Sequence, residues 1–158
     1  MQKDAEDVDY LMENVAIATI GDVMDLTGEN RIFVKQGLEM LKRTSNEGLK
    51  ALMECTGVPV DSLNAYHIGF VIGPCINAGG RLDTAKRALN LLNAKTRREA
   101  VMLAEDLKAL NDSRKEMTEK GVEQAVDLIE NTSLKEDKVL VVYLPDCHET
   151  VSYTHLRA

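Results

Sequence analysis

The sequence predicts a mostly α-helical chain that ends in one β-strand. Three observations predict it. Apolar residues recur at three- and four-residue spacing through most of the 158 residues, the period of an amphipathic helix. Glycine, proline and small polar residues interrupt that pattern at short intervals, as connections between helices require. Only residues 139–144 form a continuous apolar run of strand length, the kind a parallel sheet buries. Aromatic residues make up only 4% and tryptophan is absent, so the core must be aliphatic. A chain of this length can bury one domain-sized core.

Residues 1–7 are polar and charged. From Val8 the positions Leu11, Val15 and Ala18 lie one helical turn apart and predict a helix to about Ile20. Gly21 ends it, and Asp22 follows on the exit loop. A carboxylate there can ligate a metal or bond nearby backbone amides. Residues 27–30 read as a turn into a helix over 31–43, whose apolar face is Phe33, Val34, Leu38 and Leu41. Ser45 is the expected N-cap of a helix over 46–56 that Gly57 terminates. Residues 63–72 are nearly all apolar, which predicts a buried helix. His67 within it has no second histidine at helical spacing, so a paired-histidine metal site is excluded.

Residues 69–83 hold four of the ten glycines, one of the three prolines and an isolated arginine. Pro74 disfavours helical geometry at Gly73 and predicts a break there. Gly79 and Gly80 permit unusual backbone angles and close approaches. Asn77 offers amide donors and an acceptor, and Arg81 a planar fork suited to phosphate. Asp83 is the expected cap of a short helix to about Asn93. A long helix is predicted over 96–131, with Leu103, Leu107, Leu110, Met117, Ala125 and Leu128 in one stripe that Arg114 and Gly121 interrupt. At 1.5 Å per residue it would run about 54 Å, long enough to bridge two domains. The strand at 139–144 cannot satisfy its backbone hydrogen bonds alone, so the chain is expected to be a fragment.

Three stretches carry a family resemblance. GFVIGPCINAGGRLDTA, residues 69–85, resembles the IGPRINAAGRL segment of the bacterial RecJ single-strand DNA exonucleases, in the DHH phosphoesterase superfamily. ATIGDVMDLTGENR, residues 18–31, is similar to the family's ATIADVMPLTGENR. VLVVYLPDCHE, residues 139–149, resembles the opening strand and His-bearing loop of the DHH-associated domain. The resemblance implies an α/β parent protein. Residues 1–94 would be the C-terminal part of its DHH domain, 95–132 the long interdomain helix and 137–149 the start of the DHH-associated domain. Residues 150–158 lack the expected glycine-bearing continuation and read as a non-native tail.

What the resemblance implies about function is concrete. The parent would hydrolyse single-stranded DNA from the 5′ end with Mn²⁺ or Mg²⁺, in recombination and repair. Asp22 would be one catalytic carboxylate and metal ligand. Asn77, Arg81 and His148 would contact the nucleic acid. The family's Asp-x-Asp and Asp-His-His motifs are absent, so this chain alone is expected to be inactive. Cys75 stands where the family usually has arginine, Gly21 where it has alanine and Asp25 where it has proline, which predicts a looser loop around Asp22. Two alternatives are a DHH phosphoesterase of short oligonucleotides or nucleotides, and a non-catalytic helical adaptor.

Composition bounds the rest. The net charge of −7 argues against a broad basic surface, though not against a narrow basic cleft. Three cysteines without a CxxC pair argue against a disulfide framework or structural zinc and fit a cytoplasmic protein. No apolar run is long enough for a membrane span.

Overall fold

The computed structural model of the chain describes residues 11–147. Helices dominate, as the apolar periodicity predicts: α1 (Met12–Gly21), α2 (Gly28–Leu41), α3 (Glu47–Cys55), α4 (Ala65–His67), α5 (Gly73–Leu82), α6 (Lys86–Leu92) and α7 (Arg97–Glu130). α1 and α2 form a hairpin. α3, α5 and α6 pack on the first half of α7, and α1 packs on the segment leading into α5. The core between them is aliphatic, built on Leu41, Leu49, Leu52, Ile68, Ile72, Leu91 and Leu107. Burying each such side chain contributes about 1.5–3 kcal/mol.

Caps set the element boundaries. Asn46, rather than Ser45, caps α3: its Oδ1 accepts from Leu49 N–H at 3.0 Å, while its Nδ2 donates to Leu92 O at 2.9 Å and ties α3 to α6. Thr96 Oγ1 accepts from Glu99 N–H at 3.3 Å, and Glu99 returns a bond from Lys95 N–H at 3.2 Å. These satisfy donors that the start of α7 would otherwise leave orphaned. α2 starts three residues before the predicted Arg31, at Gly28, whose φ of +50° turns the chain into the helix.

The glycine-rich stretch is not the corner that its proline predicts. Gly73 is helical (φ −57°, ψ −48°), and the chain runs from α4 into α5 through a π turn over Ile68–Ile72. Gly73 N–H closes this wider turn on Ile68 O. In a regular helix Pro74 would lack its N–H and press on the carbonyl four residues back; the extra residue in the π turn relieves that conflict. Gly79 and Gly80 also sit inside α5, without positive φ. Gly79 is favoured by proximity instead, since a Cβ there would crowd Thr84 O at 3.0 Å.

Asp83 does not cap α6. It ends α5 and pairs with Arg87, which also binds Asp106 on α7; Thr84 Oγ1 accepts from Lys86 N–H at 3.3 Å instead. Residues 63–72 are only half buried: Ile68 and Ile72 are in the core, while Tyr66 and Phe70 are 64% and 68% exposed and stack on each other at 4.9 Å. Residues 139–144 form no strand, and there is no β-ladder among the described residues. Among the described residues this run has no neighbouring strand to pair with, and a single extended segment cannot satisfy its own backbone groups.

Candidate nucleic-acid interface

Asp22 owes its position to the way α1 ends. Val23 N–H bonds Ile20 O at 3.0 Å and Met24 N–H bonds Thr19 O at 3.1 Å, the paired bonds of a Schellman ending. This motif needs a left-handed residue, usually glycine. Here it is Val23, at φ +56°, which costs about 1–2 kcal/mol for an L-residue. Asn30 Nδ2 donates to Asp25 O at 3.1 Å across the same loop. The loop that the sequence suggests is loose is therefore pinned, and Asp22 faces out from it, exposed.

Asp22 and Asn77 line one cleft of about 320 Å³, between α1, α5 and the end of α6. Asn77 and Arg81 line a second, of about 340 Å³, together with Arg114 and Lys115 from α7. Gly21, Gly73 and Asn77 border both. On α5, Asn77 and Arg81 are one turn apart and share a face. The structure thus gathers three of the motif residues into two adjoining clefts. His148 lies outside the described residues.

The second cleft reverses the sign of the protein. The chain carries −7, yet among the described residues this cleft is lined by three cations and no carboxylate. Arg114 is half-buried, and burial together with the charge of Arg81 pushes its guanidinium below its ordinary pKa. It is held by Asn111 Oδ1, at 3.4 Å from Nε and 3.3 Å from Nη2. Asn111 itself is 3% exposed. The sequence pattern shows Arg114 only as an interruption of the α7 stripe, and that interruption is the available signal.

A divalent cation needs several oxygen or nitrogen ligands. Asp22 fits one such position, being an exposed carboxylate on a pinned loop. Among the described residues no three His, Cys, Asp or Glu side chains converge on a common point. These residues therefore offer a corner of a metal site and not a whole one.

Two further side chains have local roles. His67 Nδ1 accepts from Asn64 N–H at 3.3 Å, completing a capping box at α4. Cys75 is 2% exposed in the core, and burial pushes its thiol up to about 11. It packs, as expected, and does not line the cationic cleft.

No family model matches the chain. It is 35% identical over 133 residues to the single-stranded-DNA-specific exonuclease RecJ of Bacillus subtilis, covering 84% of this chain and 17% of that protein. It is 36% identical over 146 residues to RecJ of Escherichia coli, covering 89% of this chain and 25% of that protein. The crystal structure of Thermus thermophilus RecJ with Mg²⁺ superposes with a TM-score of 0.80 at 33% identity, over 91% of this chain and 22% of that one. The Mn²⁺ complex of the same protein superposes at 0.79. The chain thus spans a quarter or less of the length of these two curated relatives. By sequence over most of its length, and by fold, it matches one segment of the RecJ exonucleases, as its three motifs imply.

Proposed function

We propose that this chain is the phosphate-positioning part of a RecJ-type exonuclease that hydrolyses single-stranded DNA from the 5′ end. The observation that carries this reading is the cationic cleft beside Asp22, with Asn77 on the wall between the two hollows. Arg81 can present two parallel N–H groups to phosphate oxygens, and the Asn77 amide can hold the same group from the side. Phosphate contacts of this kind fix the register of a strand without reading its sequence. Asp22 contributes one carboxylate to a Mn²⁺ or Mg²⁺ site completed by residues outside the described set. When bound, such ions supply the activated water and offset the charge that develops on the phosphoryl oxygens. His148 is assigned to the nucleic acid on its motif alone.

The test is a chimera in which residues 11–147 replace the matching segment of E. coli RecJ. Digestion of labelled single-stranded DNA in Mn²⁺ or Mg²⁺ is expected to persist, and Asp22→Ala in that chimera to abolish it. An inactive but folded chimera would overturn the reading. Cleavage of only dinucleotides or nucleotides would favour a short-oligonucleotide phosphoesterase. The 158-residue chain alone is expected to show no processive digestion. The adaptor reading is countered by the cleft, which keeps Arg81, Arg114 and Lys115 on its wall although Cys75 itself lies in the core.

A further inference from the structure

A half-buried arginine on α7, aimed by a buried asparagine, stands on the wall of the cationic cleft. We propose that Arg114 and Arg81 form a two-guanidinium clamp on a single backbone phosphate, with Asn111 as the positioning residue that aims Arg114. The clamp rests on the nucleic-acid reading of the cleft.

The two arginines reach the same cleft from different helices, Arg81 from α5 and Arg114 from α7. A half-buried guanidinium ordinarily has a carboxylate beside it, because an uncompensated buried charge is costly. Arg114 makes no ion pair among the described residues; its side chain is held by the neutral amide oxygen of Asn111. That partner fixes the direction of the fork without cancelling its charge. Two of its five N–H donors are engaged, and three remain for a ligand. Burial and the charge of Arg81 both act against Arg114, and an anion between the two guanidiniums would relieve that repulsion. A phosphodiester has the oxygen spacing that planar forks match, and Lys115 adds a third cation at the rim. Asn111, at 3% exposure on the packed face of α7, occupies a place where an aliphatic side chain would bury more apolar area. Its amide serves the arginine one turn on.

Binding of a 3′-fluorescein-labelled deoxythymidine 12-mer to the 158-residue chain, by anisotropy between 50 and 200 mM NaCl, tests the clamp. Circular dichroism verifies that each variant is folded. Arg114→Ala is expected to weaken binding about tenfold with little change in the slope of log K against log salt, because Arg81 still neutralises the shared phosphate. Removing both arginines lowers the slope by about 0.7, the value for one phosphate contact on a single strand. Arg114→Lys should keep the slope and lose about threefold in affinity, because the charge stays but the fork is gone. Asn111→Leu separates positioning from packing. It keeps a side chain of similar size and removes the amide oxygen, so a packing role predicts wild-type affinity, whereas a positioning role predicts binding weakened towards that of Arg114→Ala. Wild-type affinity in Arg114→Ala, alongside weakened binding in Arg81→Ala, would overturn the clamp and leave the nucleic-acid reading standing. Absence of binding by the unmodified chain would overturn both.

Discussion

At the scale of single residues, Val23 and Cys75 each have an environment with a measurable consequence. Val23 occupies a left-handed position that suits glycine, so Val23→Gly is expected to stabilise the fold by about 1 kcal/mol, read as a higher urea midpoint at unchanged m-value. Cys75 is raised from an ordinary 9.0 to about 11 by burial. The folded state therefore holds its proton more tightly than the unfolded chain does. The stability this contributes is complete below pH 9 and is lost as pH rises from 9 towards 11. Between pH 8 and 10.5 the chain should lose about 2 kcal/mol more than Cys75→Ala does, compared by urea unfolding at the two pH values. An equal pH dependence in both proteins would contradict the assignment.

At the scale of elements, glycine decides how closely helices approach. A Cβ on Gly48 of α3 would lie 2.0 Å from Leu91 O on α6, a backbone atom that cannot rotate away. Gly48→Ala is expected to cost about 1–3 kcal/mol through forced separation of the two helices. Gly21, at the end of α1, has nothing within 4 Å of the same position. Gly21→Ala should instead stabilise by about 0.5–1 kcal/mol, because only the conformational cost of glycine is removed. Thermal melts of both variants check the contrast, and a destabilised Gly21→Ala would mean that the strained loop behind it needs glycine after all. The π turn belongs to this scale too. Pro74 acts on the turn that precedes it, widening a helix rather than ending one.

At the scale of the whole molecule, α7 is two different helices in one. Its first half presents Ala100, Ala104, Leu107 and Asn111 to the core, whereas Met117, Val122, Val126 and Leu128 in its second half are 40–45% exposed. Hydrogen exchange is expected to divide along the same line, with amides over 100–111 at least ten times slower than those over 122–130, since protection follows local packing. Uniform protection along α7 would mean that something covers its second half in solution. Charge is also distributed at this scale. An acidic chain keeps a cationic cleft because α5 and α7 bring Arg81, Arg114 and Lys115 together, with no acidic side chain among the described residues that line it.

Much of this is legible in the order of residues. Helix content, the extent of α7, the packing of Cys75 and the three motifs follow from periodicity and local pattern, which act over a few residues and can be read from them. Pro74 misleads because the residue-by-residue rule describes a regular turn, and the chain has an irregular one available. Tyr66 and Phe70 escape the predicted core because an apolar run does not say which of its faces meets a neighbour. The helices, and the presence of Asp22, Asn77 and Arg81, are thus written in local stretches of chain. That Asn77 stands between Asp22 and Arg81, and that Arg114 and Lys115 complete the cleft, is settled only by packing in three dimensions. Charges on separate helices meet through the packing angle of α5 on α7, which is set by the whole aliphatic core and by no local stretch of chain.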